Sequence, residues 1–215
     1  MKIGIVGGTG GIGEGMALRL APSHEVIIGS RDVEKACSAS ECTLASLQEK
    51  GVSGHCTGLC NQDAVDEGEI IVLAIPYRFV ESTLEELTGF EDKIVVSPVN
   101  PIGKSKDFYY DPPGEGSAAQ LVARLLPDAK VVTAFNNIAA NRWKDLADEL
   151  EYSVAVCSDD AGAGATVMQF VDSIGRLRAF DAGPLAMSSI VESITPLLLN
   201  LARLNRMKDV GIRFV

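Results

Sequence analysis

Positive charge and histidine are both scarce in this 215-residue sequence. Its 19 lysine and arginine residues stand against 29 acidic residues, giving a net charge of −10. Nucleic-acid binding needs a basic surface, so the composition argues against that class of protein. The two histidines, His24 and His55, do not follow predicted strands. Ligands of open α/β sheets gather at the carboxyl ends of strands, so neither histidine is a candidate site residue.

Long apolar runs are missing as well. No uninterrupted run reaches the length of a membrane span, and no leader-like segment precedes the first apolar stretch. We therefore expect a cytoplasmic protein without a membrane partner.

The cysteines do not form a recognisable framework. Five are present, an odd number, and a cytosolic setting disfavours disulfides. Cys56 and Cys60 have a spacing that would suit a metal, with His55 adjacent, but no second pair completes a site. We predict free thiols, at Cys37, Cys42, Cys56, Cys60 and Cys157, and no metal site.

A strong general acid or base is not evident either. There is no suitably placed Tyr-x-x-x-Lys pair, and Tyr110 is followed by Asp111 rather than leading to a lysine four residues on. Ketone reduction is therefore poorly supported. Hydride transfer between two cofactors needs no such group, since it depends on positioning two rings whose chemistry is their own. We predict no catalytic side chain.

Glycine, by contrast, is concentrated at the start of the chain. Gly8, Gly10 and Gly13 fit G-x-G-x-x-G between an apolar run and a helical pattern. The first glycine allows a tight turn, the second admits a pyrophosphate, and the third lets the helix pack closely. Free N–H groups at the helix N-terminus then meet the phosphates. The pattern predicts a dinucleotide site.

Apolar runs alternate with helical patterns along the chain. This alternation predicts a Rossmann-type α/β fold with a doubly wound, mostly parallel sheet. Gly183-Pro184 marks a boundary between a dinucleotide-binding domain (1–182) and a C-terminal helical segment (183–215). The predicted strands include 24–29, 52–57, 69–75, 93–97, 130–134, 153–157 and 177–181; helices are predicted over 143–150 and 188–207, and an irregular loop over 99–116.

The end of the second strand indicates which dinucleotide is bound. NAD sites usually carry an acidic residue there, whereas NADP sites carry a hydroxyl and a cation for the 2′-phosphate. This chain has Ser30 and Arg31, with Lys35 one turn into the next helix, while Asp32 suits the start of that helix. The alternative is that these cations are ordinary solvated residues. We predict NADP.

The other strand ends are expected to form a second pocket. They are 75–77, 98–101 and 135–140, with 210–212 at the C-terminus. Each has a simpler explanation, because Pro76 and Pro98 would end strands in any fold and Asn136 or Asn137 could cap a helix. Aromatic residues 108–110 of the long loop could either cover a ligand or only pack the loop.

Several motifs in order along the chain resemble one family. GIVGGTGGIG, IIGSR with Lys35, VLAIP, VVSPVNP, TAFNNIAA, DAGPLAMSSIVESITPLLLNL and GIRF together resemble the archaeal F420H2:NADP+ oxidoreductases. The resemblance implies reversible hydride transfer between NADP(H) and the deazaflavin coenzyme F420, in a homodimer. The C-terminal helix would then pack against the same helix of the second subunit. The alternative is that it packs on the sheet of its own chain.

The resemblance also implies the site residues. Some members of the family have histidine in place of Phe79 and Asn136, and valine in place of Asn100. The implied contacts are Thr9, Gly10, Gly11 and Ile12 for the pyrophosphate; Ser30, Arg31 and Lys35 for the 2′-phosphate; Ile75, Phe79, Asn100, Ala140 and Val210 for the nicotinamide half; and Asn136 and Ile138 for the deazaflavin.

Basic residues near the C-terminus are candidates for the acidic tail of F420. Residues 191–215 contain four basic side chains, Arg203, Arg206, Lys208 and Arg213, against two acidic ones, so this end of the chain is one candidate. Arg142 and Lys144 are the other candidates. Two alternative functions stay open: an NADPH-dependent reductase of an imine, a flavin or a metal chelate, and a non-catalytic NADP-binding regulator.

Overall fold

The computed structural model describes residues 1–147, 149–208 and 210–215. Its strands are β1 (Lys2–Val6), β2 (Glu25–Ser30), β3 (His55–Cys60), β4 (Ile70–Leu73), β5 (Ile94–Ser97), β6 (Ile102–Lys104), β7 (Phe108–Tyr110), β8 (Lys130–Thr133), β9 (Ser153–Ser158) and β10 (Arg178–Asp181). Its helices are α1 (Gly11–Leu20), α2 (Val33–Glu49), α3 (Asn61–Glu67), α4 (Val80–Leu84), α5 (Ala118–Leu125), α6 (Ala140–Lys144), α7 (Ala161–Asp172) and α8 (Ser188–Asn205).

An eight-stranded sheet in the order β10-β9-β8-β5-β4-β1-β2-β3 forms the centre of the molecule. Strands β8, β5, β4, β1, β2 and β3 are mutually parallel. The predicted Rossmann-type, mostly parallel fold is confirmed. Because β1 lies between β2 and β4, the winding direction reverses there, which opens a crevice at the carboxyl end of β1.

Strands β9 and β10 depart from an all-parallel sheet. β9 pairs antiparallel with β8, and β10 follows β9 in parallel. An antiparallel neighbour must start at the edge where β8 ends, so the connecting segment stays at the carboxyl edge of the parallel strands. Helix α6 lies in that segment and packs on α1, where a side chain at Gly15 would come within 2.5 Å of Trp143 Cβ.

The core has two halves because successive strand residues point to opposite faces of the sheet. On one face Ile3 and Ile5 join Met16 of α1 in a fully buried cluster. On the other face Val6 joins Val122 of α5. Each such fully buried aliphatic side chain contributes about 1.5–3 kcal/mol.

Two predicted elements have different bounds in the structure. β3 lies three residues later than the predicted 52–57, because pairing with β2 aligns His55 with Glu25. The helix predicted over 143–150 is replaced by α6, which ends at Lys144; residue 148 lies outside the described residues. The Arg19 side chain donates to the carbonyls of Arg142 and Trp143, both at 3.1 Å, and so ends α6 by satisfying its terminal acceptors.

The middle of the 99–116 segment is a β-hairpin, so the prediction of an irregular loop is wrong there. β6 and β7 pair antiparallel, and α8 supports them. The Asn200 amide accepts from the N–H of Phe108 at 3.0 Å and donates to its carbonyl at 2.7 Å, as a neighbouring strand would. The aromatic residues of β7 do not line the cleft described below, which favours the packing role. The alternation of apolar and polar residues could not reveal this hairpin, because the edge of β7 is paired by the side chain of Asn200 rather than by another strand.

A buried carboxylate fixes α8 to the rest of the molecule. Glu192 is 0% exposed, and it accepts from the N–H groups of Ala118 and Ala119, at 2.8 and 3.0 Å, at the start of α5. The Tyr110 hydroxyl of β7 lies 3.1 Å from the same carboxylate. Burial raises the pKa of Glu192 to about 7, while its N–H and hydroxyl partners partly oppose that rise. One side chain therefore joins α8, α5 and the hairpin.

The helical stretch Leu185–Asn205 is long and apolar enough to span a membrane by length and composition alone, at 21 residues and a mean hydropathy of 1.4. The core helix of a soluble protein can meet the same criteria of length and composition. Here Glu192 and Asn200 both bind groups of the same chain, which accounts for the polar positions of the helix.

We predict that replacing Glu192 with glutamine flattens the pH dependence of stability. The folded-state pKa is raised, so the native protein binds more protons than the unfolded chain between about pH 4.5 and 7, and the free energy of unfolding falls as pH rises through that window. Urea unfolding at pH 5 to 8 should show the wild type losing about 2–3 kcal/mol more than Glu192→Gln. Exposed Glu86→Gln should follow the wild type; parallel profiles for Glu192→Gln would contradict this account.

Candidate functional site

A cleft of about 490 Å³ opens where the parallel strands end. It brings together the segments that follow β1, β4, β5 and β8, and α8 and the C-terminal residues add another wall. The lining residues include Gly10, Gly11, Ile12, Ile75, Tyr77, Asn100, Ile102, Asn136, Ile138, Ala140, Thr195, Leu198, Leu199, Ala202, Lys208 and Val210. Nine of the fourteen residues expected at the site therefore line one cleft: Gly10, Gly11, Ile12, Ile75, Asn100, Asn136, Ile138, Ala140 and Val210.

The glycine loop fits a pyrophosphate. A side chain at Gly13 would lie 2.5 Å from the Gly8 Cα, so protein packing itself requires that glycine. At Gly10 an added Cβ would meet nothing closer than 3.7 Å, so packing does not require a glycine, and the free space admits a ligand. No side chain caps α1 at Gly10. The positive end of the helix dipole is thus available to an anion.

The end of β2 has a cation that no carboxylate neutralises. Ser30 is buried and its Oγ accepts from the Asp32 N–H at 3.1 Å. Asp32 caps α2 and pairs with Lys35 at 3.1 Å, and the hydrogen bond from Lys35 lowers the pKa of Asp32. Among the residues that the structure describes, Arg31 has no ion-pair partner. Arg31 is therefore the more available cation for a phosphate.

Five expected residues lie outside the cleft wall: Thr9, Ser30, Arg31, Lys35 and Phe79. The Phe79 ring lies 5.9 Å from the Arg31 guanidinium and 4.7 Å from that of Arg78, measured to the ring centroid. Phe79 is thus placed next to Arg31, one of the residues predicted for the 2′-phosphate. Thr9 and Lys35 line a separate groove between α1 and α2.

A set of hydrogen bonds holds the strand ends and α8 together. The Asn136 carbonyl accepts from Asn100 Nδ2 at 2.9 Å and from Thr195 Oγ1 at 2.8 Å. Asn136 Nδ2 donates to the Val99 carbonyl at 3.1 Å. Within the described chain, the buried Asn136 Oδ1 has no partner. The amide is therefore fixed in orientation and keeps one acceptor unused.

The residue before Asn136 has an uncommon backbone conformation. Phe135 has a φ of +67°, in the left-handed region that costs a residue with a side chain about 1–3 kcal/mol. Its buried ring makes edge-to-face contacts with Trp143 and Phe170, at centroid distances of 5.5 and 5.8 Å. This packing holds the turn that directs Asn136 toward β5 and α8.

The cleft has little capacity for acid–base chemistry. Among the described residues that line it, Tyr77 and Lys208 are the ones that titrate. Burial and nearby acidic groups raise the pKa of Tyr77, so its hydroxyl stays protonated at neutral pH. The walls are otherwise glycine, apolar side chains and neutral amides or hydroxyls, which suit flat rings. Among all the residues that the structure describes, no group of three His, Cys, Asp or Glu side chains is placed to hold a metal.

Sequence reasoning assigned the 183–215 segment to the second-cofactor site but named none of the α8 residues that line the cleft. Thr195, Leu198, Leu199 and Ala202 line the cleft, as does Lys208 beyond the helix. The available signal was that apolar residues cover more than one face of α8, so one face has a partner other than the sheet.

Comparisons with known proteins show the family of this chain. A family model described as NADP oxidoreductase, coenzyme F420-dependent, matches residues 2–101. The F420-dependent NADP reductase of Methanocaldococcus jannaschii is 39% identical over 218 residues, covering 99% of this chain and 97% of the relative. That of Methanothermobacter marburgensis is 37% identical over 221 residues, with 99% and 97% covered.

Solved structures give the same result for the fold. A protein from Arthrobacter sp. FB24, provisionally described as an F420-dependent NADP reductase, superposes with a TM-score of 0.80 at 25% identity, covering 100% of this chain and 99% of that one. An imine reductase from Bacillus cereus shares the fold alone, with a TM-score of 0.61 at 17% identity over 96% of this chain and 63% of its own. Because this chain is 39% and 37% identical to the two methanogen proteins over nearly its full length, it belongs to the F420-dependent NADP reductase family.

Proposed function

We propose that this chain catalyses reversible hydride transfer between NADP(H) and coenzyme F420, by holding the two rings against each other without a dedicated acid or base residue. One observation carries the proposal: a single cleft with neutral, largely apolar walls runs from a glycine loop that fits a pyrophosphate to the strand ends and α8. The family relationship supplies the identity of the two cofactors.

The NADP half is assigned to the β1–β2 side of the sheet. Gly10, Gly11 and Ile12 at the start of α1 bind the pyrophosphate, with Thr9 beside them. Ser30, Arg31 and Lys35 bind the 2′-phosphate, with Arg31 as the main cation because Lys35 is shared with Asp32. Arginine can donate two parallel N–H bonds to a phosphate, which favours NADP over NAD. Phe79 flanks this part of the site through its contact with Arg31.

The ring-binding half is assigned to the other strand ends. Ile75, Asn100, Ala140 and Val210 bind along the nicotinamide, and Asn136 and Ile138 bind the deazaflavin. The side-chain amide of Asn136 donates to the Val99 carbonyl at 3.1 Å and to Asn100 Oδ1 at 3.4 Å, so its unused oxygen is a pre-oriented acceptor. A polar group held this way positions a ring without reorganisation when the ligand binds.

The protein contributes positioning and exclusion of water. NADP(H) and F420 supply the redox chemistry themselves, as hydride donor and acceptor. Well-oriented reacting groups can gain about 7–11 kcal/mol in favourable intramolecular models. The apolar side chains of Ile75, Ile138 and Leu198 keep water from the space between the walls.

Mixing the protein with NADPH and oxidised F420 is expected to bleach the deazaflavin absorbance, because hydride addition interrupts the conjugation of the ring. The rate of absorbance loss with and without protein is the measurement. Intact NADPH binding without bleaching would leave the two alternatives, another acceptor or a regulatory role.

The proposal that hydride transfer needs no acid or base side chain is tested in the same assay with the Tyr77→Phe variant. Removal of the one hydroxyl on the cleft wall that titrates should change the hydride-transfer rate constant less than three-fold, since positioned acids or bases typically contribute about 10²–10⁴-fold. A loss in that larger range would assign Tyr77 a catalytic proton.

Arg31→Asp is expected to weaken NADPH binding by about 10- to 100-fold, the value of one or two charge-assisted hydrogen bonds. NADH lacks the 2′-phosphate, so its affinity should change less than three-fold. Fluorescence titration of both nucleotides measures the effect. Equal losses would mean that the 2′-phosphate is bound elsewhere, and exposed Arg176→Asp serves as the control for net charge.

We also propose a cytoplasmic homodimer in which the 183–215 segment completes the cleft and forms the interface. The outer face of α8 carries an unbroken apolar stripe at helical spacing, which is typical of a helix that packs on a partner. Leu197 and Leu204 in this stripe are 56% and 66% exposed. The stripe consists of Met187, Ile190, Ile194, Leu197, Leu201 and Leu204.

Leu197→Lys is therefore expected to shift the protein from dimer to monomer in analytical ultracentrifugation at micromolar concentration, because a charge would be buried in the interface. Val52→Lys, at an exposed apolar residue far from α8, should leave the dimer intact. A Leu197→Lys protein that still sediments as a dimer would exclude the stripe as the interface.

A further inference from the structure

One charged side chain of the cleft wall has no role in the proposed function. Of the described residues that line the cleft, Lys208 alone carries a charge. Its ammonium forms no ion pair with a described carboxylate, in a chain whose net charge is −10. A cation exposed on an otherwise neutral wall attracts an anionic group of whatever occupies the cleft.

Most of the other basic residues considered from the sequence form side-chain contacts within the protein. Arg203 pairs with Asp107 of the hairpin, and Lys144 pairs with Glu14 at 2.6 Å. Arg142 donates to the Tyr152 hydroxyl at 3.0 Å. Arg213 pairs with Glu151 at 3.3 Å, and Arg206 ends α8 in a left-handed conformation and does not line the cleft. The expectation that Arg203 and Arg206, or Arg142 and Lys144, meet an acidic tail has no support in these contacts.

The anions of NADP already have other partners in the proposed function. Its pyrophosphate is assigned to the start of α1 and its 2′-phosphate to the end of β2. Lys208 comes from a different part of the chain, beyond α8, and lines the cleft together with residues of α8 and the C-terminus such as Leu199, Ala202 and Val210. The anion that Lys208 meets therefore belongs to the second cofactor.

We propose that Lys208 binds the acidic tail of the deazaflavin cofactor, through a phosphate or carboxylate oxygen, and so selects the tailed coenzyme over the bare ring. This inference rests on the proposed function. A lysine ammonium is a compact point charge with three donors on a flexible stem, which suits a tail of variable conformation. Because the group is exposed, the attraction weakens with salt.

The test compares two hydride acceptors: F420, and the same deazaflavin ring bearing only its neutral sugar-alcohol chain. For Lys208→Glu at low ionic strength, the ratio of the KM for F420 to the KM for the tail-less compound should rise about ten-fold. Lys208→Gln should give a smaller rise and Lys208→Arg should keep the wild-type ratio. At 0.5 M salt the rise should shrink, and the NADPH dissociation constant should stay within two-fold.

Lys50→Glu, at the end of α2 and away from the cleft, controls for net charge and should keep the wild-type ratio. An unchanged ratio in Lys208→Glu, or equal rises in both KM values, would overturn the proposal. Weaker NADPH binding in Lys208→Glu would overturn it as well and assign the lysine to NADP. A wild type that transfers hydride to neither compound would reject the proposed function and this inference with it, a result distinct from an active enzyme insensitive to Lys208.

Discussion

The arrangement of the site depends on the parallel pairing of β1 with β2 on one side and β4 on the other. Parallel strands end at the same edge, so the glycine loop after β1 and the segments after β4, β5 and β8 all emerge together. The change of winding direction between β3 and β4 leaves the crevice unfilled by a connection. Most of the proposed contacts with NADP are made from this edge.

The second constraint is the attachment of α8. A helix that covers a ligand cleft must be fixed at several points, because a small tilt would change the distance between the two rings proposed to stack there. Glu192 binds the N-terminus of α5, Thr195 binds the Asn136 carbonyl, and Asn200 binds the hairpin. These polar contacts lie on the inner face of an otherwise apolar helix. They explain why α8 can expose an apolar stripe outward and still hold the cleft wall in place.

The chemical character of the cleft is suited to the reaction proposed for it. Ring-to-ring hydride transfer needs flat apolar walls and fixed amides, and the described lining provides both, with Tyr77 and Lys208 as its ionisable side chains. The strained turn at Phe135 is consistent with this, since backbone strain concentrates where a side chain must be aimed precisely. Packing against Trp143 and Phe170 offsets the cost of that turn.

The amino-acid sequence by itself determined the fold class, the glycine loop, and the cation and hydroxyl at the end of β2, because these depend on local periodicity and on short motifs. Only the tertiary structure decided that residues 102–110 form a hairpin, that β9 runs antiparallel, and that Glu192 and Lys208 have special surroundings. Those features depend on contacts between residues far apart in sequence, such as Asn200 with Phe108 across α8 and β7. A lone carboxylate or lysine gives no sign of its partners until the chain has packed around it.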